Sequence, residues 1–207
     1  MKKTLWIYLA LFALLLMLSA CESGGKFHVH NNCSFPAYVK ADNGTEITIP
    51  ASGDHVFKID TDTQSIFTGE VKRDVKVWIK GETFNLYDND NLVYTDSTWV
   101  TIRAGETLDA YLNPNRASIK VVNNSSQAIT EAAVWKHAGT NHTRVGAILN
   151  IAPGTSKYLR VDFAVPNNQF YYDVIVLTED ESTYTYGDAT NILGKDEQFL
   201  ITHTDSE

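Results

Sequence analysis

Two stretches of this chain read alike and in the same order, and that self-similarity limits the fold more than any other feature. Phe27-His28-Val29-His30-Asn31-Asn32 lines up with Ile119-Lys120-Val121-Val122-Asn123-Asn124. Ala37-Tyr38-Val39-Lys40 lines up with Ala133-Val134-Trp135-Lys136, and residues 49–60 with 151–162. Val75, Val77 and Ile79 match Tyr172, Val174 and Val176, and residues 102–112 share an apolar alternation with 193–203. A unit of about 90 residues used twice is long enough to build its own core.

Inside each unit, apolar and polar residues alternate, the period of a strand with one buried face. Phe57-Lys58-Ile59 and Leu159-Arg160-Val161 point Lys58 and Arg160 outward, and residues 75–79 and 172–176 read as central strands. Residues 129–137, with Glu131-Ala132-Ala133, resemble a helix in composition, but their match to the strand around Tyr38 predicts β. Asp42-Asn43-Gly44 is a type I′ hairpin signal, and Asp88-Asn89-Asp90-Asn91 predicts a second hairpin loop. Short strands with turns every eight to twelve residues predict an all-β chain: two tandem β-sandwich (immunoglobulin-like) domains. Asn113-Pro114-Asn115-Arg116 supplies the seam, because a proline ends a strand. The expected limits are 27–113 for the first sandwich, 114–116 for a linker and 117–207 for the second.

The N-terminus adds an address. Lys2 and Lys3 precede an apolar run over residues 5–18. As a helix that run reaches about 21 Å, short of a hydrocarbon core of about 30 Å, so it suits a secretory signal better than a membrane span. Leu18-Ser19-Ala20-Cys21 then resembles the lipobox of bacterial lipoproteins. That resemblance implies a cleaved signal peptide over 1–20, cut between Ala20 and Cys21, and diacylglyceryl and further acyl chains such as palmitate on Cys21. Two or three chains hold essentially permanently, where one is marginal. Glu22 stands where enteric lipoproteins kept in the inner membrane carry Asp, so the resemblance favours the outer membrane or cell surface. Residues 21–26 form the lipidated end and a linker, and 22–26 extend to about 17 Å.

Charge and cysteines narrow the function. The chain carries 25 acidic and 17 basic residues, for a net of −8, and loss of Lys2 and Lys3 with the signal makes it −10. Such a balance argues against nucleic acid and against direct docking on anionic headgroups. With Cys21 acylated only Cys33 remains, so no intramolecular disulfide forms. Cys33 is expected to be buried, the alternative being a bond to a second chain.

Residues 27–39 resemble the opening of thaumatin-like β-sandwich proteins, but the disulfide-rich remainder of that family is missing and no function follows. His28 and His30 share one strand face, with Cys33 and His55 as conceivable companions in a soft-metal set. The strand register turns the histidines outward as ordinary polar residues, so no metal site is expected. Asp88 and Asp90 lack the rest of a calcium loop. Trp78, Tyr94 and Trp99 in the first unit, and Tyr184 and Tyr186 in the second, are candidates for a stacking face or for core. G-x-S-x-G, H-E-x-x-H and paired Cys-x-x-Cys motifs are absent from the sequence. No catalytic residue and no cofactor is assigned. The sequence therefore predicts a membrane-anchored envelope lipoprotein. It would act as a non-enzymatic binding or structural module for a protein or glycan, with the second sandwich, farther from the lipid, as the presenting one. The competing reading is a glycan hydrolase with carboxylates in an inter-domain cleft.

Overall fold

A computed structural model describes residues 24–62 and 70–205. The signal peptide and lipobox, including Leu18, Ser19, Ala20 and Cys21, lie outside the described residues. The described chain is all-β. Its strands run β1 (Gly25–Asn31), β2 (Ala37–Ala41), β3 (Ile47–Ile49), β4 (Asp54–Ile59), β5 (Lys72–Gly81), β6 (Leu86–Asp88), β7 (Val93–Thr95), β8 (Ser97–Arg103) and β9 (Thr107–Leu112). They continue as β10 (Ala117–Asn123), β11 (Ile129–Ala138), β12 (Asn141–Ile151), β13 (Ser156–Val161), β14 (Tyr171–Thr178), β15 (Thr183–Tyr186) and β16 (Gln198–His203).

The sheets repeat. The order β4-β1-β9 faces β3-β2-β5-β8 in the first half, and β13-β10-β16 faces β12-β11-β14-β15 in the second. A small β6-β7 hairpin interrupts the first half alone. Each pair of sheets encloses its own apolar cluster. Phe27, Val29, Val39, Val77, Ile79 and Ile102 belong to the first, and Ile119, Val121, Val134, Tyr172, Val174 and Val176 to the second. Alternation produces this directly: along β1 the residues Gly25, Phe27, Val29 and Asn31 are buried while their neighbours face out.

The likeness to immunoglobulin domains stops at the two-sheet architecture. Here the first strand of each half pairs antiparallel with the fourth and parallel with the last. An immunoglobulin constant domain instead places its first, second, fifth and fourth strands in one sheet.

The residues aligned at 37–40 also need correction. Ala37 faces Ile49 and Gly81, and the residue that faces the equivalent Ile151 and Thr178 is Ile129, not Ala133. An irregularity between Ile129 and Glu131 shifts the register, which similarity of residue type could not reveal.

The turn at 41–44 has its left-handed residue at Asp42, with φ 52°, and Gly44 N–H donates to the Ala41 carbonyl at 3.0 Å. A single positive φ at the first central position is the type II′ pattern, not I′.

The Asn pairs build matching turns. Asn31 Nδ2 donates to the carbonyls of Phe35 (2.9 Å), Ile49 (3.2 Å) and Pro50 (3.0 Å), and its Oδ1 accepts from Cys33 N–H at 3.1 Å. Asn123 Nδ2 donates to Gln127 (2.7 Å) and Ile151 (2.9 Å), and its Oδ1 accepts from Ser125 N–H at 3.0 Å. Both side chains are buried, so these bonds satisfy backbone groups that water cannot reach.

Candidate functional site: an aromatic hairpin gripped by both halves

The hairpin added to the first half carries a run of exposed apolar side chains. Tyr87 (45 %), Leu92 (71 %), Val93 (50 %) and Tyr94 (48 %) are exposed, as is Trp99 (67 %) on neighbouring β8. Tyr87 and Trp99 line one depression of about 410 Å³ together with Asp88, Asn89, Asp90, Thr95, Ser97 and Thr98. Aromatic faces ringed by hydroxyls, amides and carboxylates suit a ligand with flat apolar faces and many hydroxyl groups.

Local chemistry shapes the loop. Gly81 opens it, because a Cβ there would lie 2.7 Å from that of Phe84. At the tip, Asp88 accepts from the backbone N–H of Asp90 (2.9 Å) and Asn91 (3.1 Å) and from Asn91 Nδ2 (2.7 Å). The Asn91 side chain contributes most to holding the Asp88 carboxyl below its usual range. The Asp88 carboxylate is thus occupied by its own turn. Leu92 completes the reversal at φ 54°.

Both ends of the hairpin are tied to the second half. Arg160 grips Asp96 with two parallel bonds of 2.8 and 3.0 Å and also donates to the Phe84 carbonyl at 3.2 Å. Asn115 exchanges bonds with the Asn85 backbone at 2.8 and 2.9 Å. The Arg116 guanidinium lies 3.9 Å above the Tyr94 ring. A short aromatic hairpin would be marginal alone; here the seam between the halves holds it.

Beside it lies a cleft of about 630 Å³ between the halves, lined by Tyr38, Glu46, Lys80, Glu82, Lys120 and Tyr158 among others. Glu82 is 1 % exposed. It accepts from Lys120 Nζ (2.8 Å), Gln198 Nε2 (2.5 Å) and the Tyr38 hydroxyl (3.2 Å). Burial, with the Glu82 carboxylate next, pushes the Tyr38 hydroxyl up to about 12. The buried carboxylate of the cleft is therefore clasped by three donors, two of which, Lys120 and Gln198, come from the other half.

The remaining candidates sort clearly. Trp78 is half-buried, with Lys40 and Lys76 at 5.2 and 5.1 Å from its ring. Tyr184 and Tyr186 pack against the second core and His203, and Tyr186 Oη lies 2.8 Å from His203 Nδ1. The exposed aromatic face thus falls in the first half. Cys33 is buried. Its thiol donates to the Leu112 carbonyl at 3.4 Å, and burial pushes its pKa up to about 11, so it stays a protonated, sheltered thiol.

His28 and His30 do come together, with ring centroids 3.9 Å apart. Cys33 is buried in the core, and His55 packs edge-on against Phe57. The histidines' companions are instead Asp54 and Asp109, which sequence reasoning missed. Only the pairing of β1 with β4 and β9 brings those carboxylates near, and local spacing carries no signal of it.

No protein-family model matches the chain, and no curated protein does. Among solved structures, overlaps include the TIE protein of Bacillus anthracis (10 % identity, TM-score 0.31), covering 88 % of this chain and 33 % of that one. This chain thus spans about a third of that protein. A candidate cell adhesion protein from Bacteroides uniformis overlaps at 7 % identity and TM-score 0.36, covering 89 % and 93 % of the two chains. The tip fimbrial protein of Porphyromonas gingivalis does so at 8 % and 0.27, covering 78 % and 80 %. At these scores the overlaps say nothing of what this chain binds.

Proposed function

We propose that this chain is a lipid-anchored, non-enzymatic module of a bacterial cell envelope, at the outer membrane or cell surface, that holds a glycan on its aromatic hairpin. The observation that carries the reading is the exposure of Tyr87 and Trp99 around one polar-rimmed depression on a hairpin clamped at both ends. A preorganised face of this kind loses little entropy on binding. The anchor reading rests on the lipobox, and it fits the start of β1 at Gly25, four residues after Cys21. That leash keeps the Gly25 end of the first half close to the bilayer, while the aromatic hairpin follows Gly81 at the other end. The clasped state of Glu82 favours binding over hydrolysis in the cleft, since a general acid or nucleophile has to be free to meet substrate.

Intact mass of membrane-extracted protein tests the anchor. The wild type should begin at Cys21 and carry the mass of two or three acyl chains, both lost with membrane association in Cys21→Ser. A lipid-free mature chain would overturn the anchor. Retention on insoluble envelope polysaccharide tests the face. Trp99→Ala should weaken it roughly tenfold, the scale of one lost aromatic stack, without moving the melting temperature. Undiminished retention would remove the glycan reading, and an envelope protein cross-linked at Tyr87 would replace it with a protein partner.

A further inference from the structure

The outer face of the β4-β1-β9 sheet carries a cluster that the binding face does not use. His28 Nε2 lies 2.8 Å from Asp54 Oδ2, and His28 Nδ1 lies 3.1 Å from Asp109 Oδ1. His30 Nε2 meets the same Asp109 oxygen at 3.2 Å. The His30 ring is fixed by stacking on Tyr111, 4.6 Å between centroids at 9°. One ligand atom from each of His28, His30 and Asp109 falls within 4.8 Å of the others.

A neutral imidazole has one N–H and one lone pair. Two imidazole nitrogens and a carboxylate oxygen within 4.8 Å of one another are a donor set that a divalent ion of the zinc class takes. In that arrangement His28 turns Nε2–H to Asp54 and its Nδ1 lone pair to the ion. The distances are near what it needs: a tetrahedral ion about 2.1 Å from its ligands separates them by about 3.4 Å, against nitrogen–oxygen distances of 3.1 and 3.2 Å here. Asp54 then occupies the place of an outer carboxylate that orients a metal-bound histidine.

The fold does not require these residues. Strand pairing places Lys120, Val122, Ser156 and Leu200 of the second half where the first has His28, His30, Asp54 and Asp109. We propose that His28 Nδ1, His30 Nε2 and Asp109 Oδ1 form a site for a divalent transition ion of the zinc class, with Asp54 orienting His28 and a fourth position open to solvent. The side chains of His28 and His30 are 23 % and 26 % exposed, enough for an ion to enter.

The test is calorimetric titration of the full chain in detergent with Zn²⁺, paired with Co²⁺ absorption, which reports tetrahedral coordination. One ion per chain is expected. Asp54→Asn should weaken Zn²⁺ binding about 10- to 100-fold, and His30→Ala or Asp109→Asn should weaken it further. His55→Ala, whose ring packs on Phe57, should bind as wild type does. His28→Lys, the residue that the second half carries at this place, supplies a variant that keeps its metal-free melting temperature and loses binding. Zn²⁺ binding that persists in His28→Lys and His30→Ala would overturn the site, as would the absence of any binding by the wild type.

Discussion

The outer faces of the two three-stranded sheets occupy the same place in the repeated fold and meet opposite fates. On the second, Ser118, Lys120, Tyr158, Arg160 and Gln198 lie under the first half, in contact with one another or with Tyr38, Glu82, Phe84 and Asp96. On the first, His28, His30, Asp54, Asp109 and Tyr111 have no such cover among the described residues and pair among themselves. The inward residues barely change between the two: Phe27 and Ile119, Val29 and Val121, and Asn31 and Asn123 are all buried. The comparison separates two kinds of constraint. Positions facing the core answer to packing in both halves, whereas positions facing out answer to whatever each half meets.

The contrast is broken most severely at Glu82. Glu82→Ala leaves the Lys120 ammonium in the joint without its carboxylate and should cost about 3–5 kcal/mol in guanidinium unfolding. Glu82→Gln, which keeps hydrogen-bonding capacity, should cost less. A loss under about 1 kcal/mol for the alanine variant, the scale of an exposed pair, would show that the joint does not depend on this clasp.

A milder test sharpens the likeness of the halves. Ser52 has φ 55° and Gly154 has φ 71° at matching turns. A Cβ at Gly154 meets nothing within 4 Å, so only the backbone conformation is at stake there. Ser52→Gly should stabilise and Gly154→Ser destabilise, each by about 1 kcal/mol, as read by thermal unfolding. Equal signs for the two would show that the turns are not equivalent.

The smallest effect belongs to a turn that the first half lacks. Asp180 accepts from Thr178 Oγ1 at 2.6 Å and Ser182 N–H at 3.1 Å, and the Thr178 bond is foremost in lowering its pKa to about 2. A folded value below the unfolded one gives stability that is complete above about pH 4. That stability is lost as pH falls through about 2. Asp180→Asn should flatten the acid limb of a stability–pH curve in that window and leave its shape near neutrality unchanged. An unaltered acid limb would reject the assignment.

Much of the sandwich was legible along the chain. Alternation marked the buried residues of β1 and β10, the Asn31 and Asn123 turns stood out as aligned pairs, and residues 129–137 proved to be strand despite their helical composition. The errors share a cause. The alignment at 37–40 slipped by four residues, because Ala37-Tyr38-Val39-Lys40 resembles Ala133–Lys136 in residue type while strand pairing sets Ile129 opposite Ile151 and Thr178. The strand order was not legible at all, because alternation says which face of a strand is buried but not which strand lies beside it. The aromatic candidates stayed open between face and core, and Tyr87 was not among them, since Tyr184 and Trp99 differ in tertiary cover, not in local pattern.

By itself the sequence determined an all-β chain, its inward-facing residues and the two Asn-capped turns, because period-two burial and side-chain-to-backbone bonds within a few residues are local properties. Only the tertiary structure decided which outer face is covered and which side chains each carboxylate meets. Asp109 reaches His28 across 81 residues, Glu82 reaches Lys120 across 38, and Gln198 reaches Glu82 across 116. Outward-facing side chains carry no periodic signature of their partners, so their chemistry emerges only when strand pairing and the packing of one half on the other set them side by side.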